Sequence, residues 1–465
     1  MTVTRRAVMA GAGASVAAAA AAPLTAQTGS PPLVSDIGTL RRVLVHSFKA
    51  SDHQVDVLGS DVLPQAEADP IVAEAQHAGL IRLLKASGCE VVEVADALDA
   101  AIAATRPTGV FEAWLDAAFP RLGADPARVT GAMLLGRDPA GQYALGPDGS
   151  YRHAASDTRA TMWTRDSAFM TPRGLVICNS VSERRRRENM LLRFLYAHAP
   201  QLKDVPIAFD AIEEGMIVEG GDAMVVAPDL LFLGTGNRTD PRIAPVLAKR
   251  LNMDVLTVQT VKREFLATAT PGRKQPALEL KILLLHLDTY FTMVAPRHAL
   301  TVPYLLEAEF AETSPLARYI RGARAETRLE PEEAEAALTM LKEFGALTLY
   351  KRGTGKAEKV EGKLADHLKR LGWRFTWVGG ARPAEAADNG AAAFRHFMGT
   401  TYPELRRQAA NVVQATPGRV LAYDGNPATR AALEASGIGV DAFPARELWA
   451  WHGGPHCLTQ PLLRA

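Results

Sequence analysis

Cys457 stands in the segment WHGGPHCLTQ, among glycines and histidines rather than in an apolar run. A thiol in such a turn-forming, polar setting packs no core and is a candidate nucleophile, reacting as its thiolate. The other two cysteines, Cys89 in SGCEVVEV and Cys178 in LVICNS, lie in apolar runs and read as small buried hydrophobes. Acidic residues also interrupt apolar stretches: Asp166 follows MWTR, Glu219 follows MIV, and His286-Leu287-Asp288 follows KILLL. A carboxylate in such a place must be paired or desolvated, and either changes its pKa. Taken singly, each reads as a structural ion pair or a turn-forming aspartate. Their recurrence at equivalent places in repeated units points instead to strand ends that converge on one cavity.

Such a cavity would hold Asp166, Glu219, Asp288 and His286. Three carboxylates and one imidazole suit a cationic, planar ligand with several donors, and a guanidinium offers five N–H groups that carboxylates accept in pairs. A metal ion is the rival occupant. The candidate ligands, however, are spread from 166 to 288, include a single histidine and lack zinc-type spacing. Cys457 and His286 together would supply a nucleophile and a general acid and base.

Two recurring units must position these residues. A helix end, a tight turn and a strand recur at LLKASGCEV (83–91), LAKRLNMDVLTV (247–258), LKRLGWRFTWV (368–378) and LEASGIGVDAF (433–443). Gly88, Asn252, Gly372 and Gly437 fall where a helix C-cap needs a left-handed residue, and β-branched or alternating runs follow. The second unit is strand, short turn, strand. It reads TRDSAFMTPRGLVICNS from 164 and EGGDAMVVAPDLLFLGTG from 219, with a looser copy, HLDTYFTMVAPRHALTV, from 286. In the first two, Asp166 and Asp222 precede Pro172 and Pro228 by six residues. Each leads into a helix, the later one capped by Thr239 or Asp240 with Pro241 in its first turn. Residues from about 96 to 150 are helix-rich and end in a Gly/Asp loop. Residues from about 300 to 367 contain a capped helix over 331–344 and a solvated charged stretch, KRGTGKAEKVEGK. The sum is an α/β chain of repeated strand–strand–helix–strand modules.

Composition narrows the function classes. A formal charge of +1 gives no reason to expect nucleic acid or an anionic membrane as partner. No later apolar run reaches the roughly 20 residues of a bilayer span, so no stable membrane anchor is expected. Residues 1–27 differ: Arg5-Arg6, an Ala/Gly-rich stretch to Ala22 and a small-residue end at Ala26 read as a twin-arginine secretory signal. The mature catalytic domain would span 28–465, in the periplasm or secreted. Three cysteines make no disulfide framework and leave at least one thiol free.

Together the motifs TRD at 164–166, EGGD at 219–222, HLDTYFTMV at 286–294 and GGPHC at 453–457 resemble, in order and spacing, the arginine deiminase family of guanidino-group-modifying enzymes. The resemblance implies a pentein-like, five-module α/β propeller around a central site, with a helical insertion before TRD. It implies that Cys457 attacks the guanidinium carbon and that Asp166 and Asp288 grip its nitrogens. Glu219 would orient His286, the acid and base. Arg185 and Arg238 would hold the substrate carboxylate, although Arg185 in SERRRRE also reads as part of a solvated basic helix face. The implied reaction converts L-arginine to L-citrulline and ammonia through a covalent thiouronium, with no metal and no organic cofactor. Its partner is a small guanidino compound, and a homo-oligomer stays open. Two positions depart from the family pattern, His456 where arginine is usual and Ala160 where asparagine is common. PHCLTQ is similar to the nucleophile loop of agmatine deiminases, which keeps agmatine or another guanidino compound open as substrate. An amidinotransferase and a non-catalytic arginine-binding protein are the remaining alternatives.

Overall fold

The strands of this chain are short and mostly apolar, and each group of three needs a helix and neighbouring sheets to cover it. The computed structural model describes residues 35–50, 67–119, 125–135, 143–145, 151–153, 159–262, 284–383 and 390–465. Residues 1–27, expected from their sequence to direct export, lie outside the described residues.

The first strand, β1 (Leu40–Val45), pairs in parallel with β2 (Glu90–Glu93) across the helix Pro70–Ala86. A small hairpin, β3 (Tyr143–Leu145) and β4 (Tyr151–His153), follows. Next, β5 (Ala168–Thr171) runs antiparallel to β6 (Gly174–Ile177), and β6 parallel to β7 (Ile207–Asp210) beyond the helix Glu183–His198. The same plan joins β8 (Ala223–Ala227), β9 (Leu230–Thr235) and β10 (Asp254–Gln259) around the helix Ile243–Arg250. The fourth sheet starts with β11 (Phe291–Ala295) and β12 (His298–Thr301). Two helices (Pro315–Ala325 and Pro331–Glu343) and a hairpin, β13 (Ala346–Tyr350) and β14 (Ala357–Lys363), intervene before β15 (Arg374–Trp377) completes it. The hairpin itself joins β10 and extends the preceding sheet to five strands. Its outer strand, AEKVEGK, is largely exposed and charged, which discourages further pairing at that edge. The fifth set is β16 (Val413–Thr416), β17 (Arg419–Tyr423) and β18 (Gly439–Phe443), with the helix Pro427–Ala435.

The last strand, β19 (Gln460–Arg464), returns to pair antiparallel with β1. It gives the N-terminal module the leading strand that the other four carry in sequence, so chain start and chain end close a ring of five. This is the five-module α/β propeller that the motif order implies. Strands β5 and β6 are buried at every position, as sheets covered on both faces must be.

Asn252, Gly88, Gly372 and Gly437 all adopt the left-handed backbone expected of helix ends, with φ of 49°, 79°, 77° and 82°. One expected start is corrected. The helix after β9 begins at Ile243, two residues past Pro241, because Asp240 Oδ1 accepts the Arg242 N–H at 2.9 Å in a preceding turn. Thr239 does not cap it; its hydroxyl donates inward to Asp222 Oδ2 at 2.7 Å. The helix expected over 331–344 runs Pro331–Glu343 with Phe344 as its C-cap. Before TRD, the helices Val94–Thr105 and Val110–Ala118 pack on the helix Glu183–His198, with Trp114 stacked 4.3 Å from Phe194. No helix among the described residues is long and apolar enough to cross a membrane.

Candidate active site

Every module sends a turn toward the ring axis just before its leading strand. Asp166 sits on the single turn Thr164–Ser167 that enters β5. Glu219 precedes the turn Gly220–Asp222 that enters β8, and His286 and Asp288 belong to the turn that enters β11. Cys457 lies shortly before β19. Equivalent placement in a closed ring is why residues almost three hundred positions apart meet. The glycines of EGGD permit the approach: a Cβ on Gly221 would lie 2.8 Å from His286 Nδ1 and 2.9 Å from Asp166 Oδ1.

Five of the seven sequence-predicted residues, Asp166, Arg185, Arg238, His286 and Cys457, line one cleft of about 240 Å³ walled by Trp163 and Trp451, and Glu219 and Asp288 stand behind it against His286 and Cys457. Cys457 Sγ is 3.5 Å from Asp288 Oδ2. His286 Nε2 is 2.9 Å from Glu219 Oε2, and its Nδ1 is 3.7 Å from Asp166 Oδ1. Arg238 donates to Glu219 Oε1 at 3.5 Å. Arg185 donates to Asp166 Oδ2 at 3.2 Å and to Glu188 at 2.7 Å. The solvated-face reading of Arg185 is thereby corrected: its side chain is buried, while the adjacent Arg186 is the exposed one. Asp166 Oδ1 and Asp288 Oδ1 are buried with no hydrogen-bond partner among the described residues. Two unsatisfied carboxylate oxygens are a costly arrangement that a ligand with N–H donors would relieve.

Burial works against every charge here, and the neighbours decide the outcome. For Glu219, burial is outweighed by Arg238 and by the hydrogen bond from His286, which hold its carboxyl well below the usual range. Burial would likewise lower His286, but Asp166 and the Glu219 hydrogen bond raise it to about 9, so the imidazole carries a proton at neutral pH. Asp166 is raised by burial, against the pull of His286 and Arg185. Asp288 is lowered despite burial, because His456 Nδ1 sits 2.7 Å from its Oδ2. Burial, then Asp288 and Asp166, push the Cys457 thiol well above its ordinary value. Burial and these carboxylates therefore favour the protonated thiol.

Three further residues belong to this centre. Asn411, two positions before β16, donates Nδ2 to Cys457 Sγ at 3.2 Å and accepts the Gly454 and Cys457 N–H groups on Oδ1. It is the contribution of the remaining module. A signal for it was present: Asn411 precedes Pro417 by six residues, the spacing that Asp166 and Asp222 keep to their own prolines. Arg165, inside TRD, holds the nucleophile loop through its N–H to Cys457 O (3.2 Å) and its Nε to Thr459 O (3.1 Å). Asp222 braces adjacent turns by accepting from Thr239 and from the Leu287 N–H at 3.0 Å. His456, one of the two departures, is buried against Asp288; Ala160, the other, lies in the turn Arg159–Met162.

Asp166, Glu219 and His286 bring one donor atom each within 4.8 Å of one another, a separation a metal ion could bridge. The donor chemistry argues otherwise. Both carboxylates already face arginines, whose positive charge opposes a cation bound between them.

The family model described as arginine deiminase matches residues 145–346 and 400–464, more than half of the chain. An arginine deiminase of Mycobacterium avium is 27% identical over 92% of this chain and 97% of its own length. One of Rhodococcus erythropolis is 26% identical over 94% and 98%. Among solved structures, DDAH from Pseudomonas aeruginosa complexed with citrulline aligns with a TM-score of 0.46 at 15% identity, over 92% of this chain and all of that one. AgrE in complex with L-arginine aligns with a TM-score of 0.48 at 14% identity, over 91% of this chain and 40% of that one. With the family model covering both the acidic turns and the nucleophile loop, the chain belongs to the arginine deiminase family, hydrolases acting on the C–N bonds of linear amidines.

Proposed function

We propose that this protein hydrolyses free L-arginine to L-citrulline and ammonia through a covalent thiouronium on Cys457. The observation that carries the reading is one cleft lined by Cys457, His286, Asp166, Arg185 and Arg238, with an unsatisfied oxygen on Asp166 and another on Asp288 beside the thiol. The guanidinium would lie between Asp166 and Asp288, whose free oxygens accept its N–H groups. Its positive charge offsets the two carboxylates that hold the thiol protonated, so the thiol gives its proton up to solvent and the thiolate forms when substrate is bound. The thiolate adds to the guanidinium carbon, and His286 gives its proton to the amino group that leaves as ammonia. Neutral His286, held by Glu219, then takes a proton from water as the water adds to the thiouronium carbon. Collapse expels the Cys457 sulfur, which takes up the remaining hydroxyl proton as the ureido carbonyl of citrulline forms.

At the other end, Arg185 and Arg238 would release Asp166 and Glu219 in favour of the substrate carboxylate, a forked donor geometry that suits it. This favours an amino acid over agmatine, which has no carboxylate to receive them. The test is product analysis of the chain from residue 28 onward, given L-arginine and agmatine in parallel under reducing conditions. Citrulline and ammonia from arginine support the reading; turnover of agmatine alone overturns the substrate. Cys457→Ser should abolish turnover and spare arginine binding, and undiminished citrulline formation by that variant would refute the covalent route.

Export is proposed on the character of residues 1–27 alone, with Arg5-Arg6 ahead of an acid-free, small-residue stretch. Replacing both arginines by lysine should retain the protein in the cytoplasm; unchanged fractionation would sink this proposal.

A further inference from the structure

Gln408 lines the same cleft as Cys457 and His286, yet neither the motifs nor the chemistry above use it. Only 4% of it is exposed, and its side-chain oxygen Oε1 is buried with no hydrogen-bond partner among the described residues. Its backbone adopts φ 62°, a left-handed conformation that a residue with a Cβ rarely takes. Local hydrogen bonds hold it there: the Gln408 N–H donates to Leu405 O at 2.9 Å, and Gln408 O accepts the Asn411 N–H at 3.0 Å. The residue is thus tied to the segment that carries Asn411, and through Asn411 to the nucleophile.

A buried amide oxygen without a donor is costly, so a donor on the ligand is the natural complement. Resting on the arginine reading above, the substrate has three polar groups to place. The guanidinium has the free oxygens of Asp166 and Asp288, which as carboxylates outcompete a neutral amide for its N–H groups. The α-carboxylate carries no donor and has Arg185 and Arg238. That leaves the α-ammonium, a donor-only group, and Gln408 Oε1, an acceptor with nothing to accept. We infer that Gln408 is a specificity-determining residue that accepts a hydrogen bond from the α-ammonium group of the substrate.

The test compares L-arginine with its analogue lacking the α-amino group, 5-guanidinopentanoate, on the wild-type protein and two variants. Gln408→Met keeps the length and removes the acceptor; Gln408→Glu keeps an acceptor. For Gln408→Met, kcat/KM on arginine should fall about ten- to a hundredfold, the range of a hydrogen bond to a charged group, with the loss confined to the substrate that bears the amine. Gln408→Glu should recover most of the arginine rate. An equal loss on both compounds, or none on arginine, overturns the assignment of Gln408. Failure of the wild-type protein to turn over arginine at all would instead overturn the underlying reading of the site.

Discussion

Asn411 holds Cys457 from two sides: its Nδ2 donates to the sulfur at 3.2 Å while its Oδ1 accepts the Cys457 N–H at 3.1 Å. One amide therefore orients both the nucleophilic atom and the loop that carries it. Because Oδ1 also takes the Gly454 N–H at 2.9 Å, the side chain bridges two modules at the ring axis.

Replacing Asn411 by alanine should remove that grip, leaving two loop N–H groups unpaired. We expect kcat to fall at least about tenfold and thermal stability to drop by about 1–3 kcal/mol. Asn411→Asp separates the two roles: it keeps the acceptor for the loop but puts a carboxylate beside the sulfur. Its stability should be closer to wild type, with alkylation of Cys457 by iodoacetamide shifted to higher pH. Wild-type kinetics in both variants would show that Asn411 does not position the thiol.

Arg238 faces Glu219 at 3.5 Å from a partly accessible position, so it is the arginine best placed to change partner when substrate enters. Arg238→Met should lower kcat/KM for arginine about ten- to a hundredfold, mainly through KM. Binding of a guanidine without a carboxylate should suffer much less. A comparable loss for both ligands would place Arg238 at the guanidinium end instead.

The His286–Glu219 pair sets a pH window for stability. His286 is raised from 6.5 to about 9, so its contribution is complete below pH 6.5 and is lost as pH rises through about 9. Glu219 is lowered from 4.5, so its contribution is present above that value and is lost as pH falls through its depressed folded pKa. Chemical denaturation should therefore show unfolding free energy declining between pH 6.5 and 9, with a slope approaching one proton. His286→Gln should flatten that decline, and an identical slope in the variant would assign it to another group. On the proposed mechanism, in which the leaving ammonia takes its proton from His286, activity should fall over the same alkaline range.

Gly221 lies where the turns of two modules touch. A methyl group there would come within 3 Å of both His286 and Asp166, so Gly221→Ala must displace one of them. We expect kcat to fall at least about a hundredfold, as misplacement of about 1 Å near the chemistry can cost. The far-ultraviolet circular dichroism should stay that of the wild type. Near-normal turnover would mean that the approach of EGGD to His286 is looser than the structure shows.

The acidic turns and the nucleophile were legible in the amino-acid order because each belongs to a local pattern, whereas Arg185 and Arg238 were named only through the family resemblance. Asp before Pro by six residues marks a turn entering a hairpin, and Gly-Gly-Pro-His-Cys is too polar and too turn-rich to be core. The four helix-to-strand units were legible for the same reason, since Gly88, Asn252, Gly372 and Gly437 end helices through their own backbone preference. The unit after Ile177 escaped that reading because its helix leads into β7 through the Pro200–Leu202 turn, with no left-handed residue to mark it. The module built on β1 escaped as a strand pair because its two leading strands lie at opposite ends of the chain.

What only the tertiary structure decided is which polar groups meet, because that depends on ring closure and not on any local preference. Arg185 shows the difference. Within SERRRRE it is one of four like charges with nothing to separate it from its neighbours. In the folded chain helix rotation turns it, and not Arg186, toward Glu188 and Asp166. Gln408 is a second case, since an ordinary glutamine in a polar segment gives no sign of an unpaired oxygen in a cleft. Local order along the chain determines the turns and their residue types; the closing pair of β19 with β1 determines that five such turns share one axis.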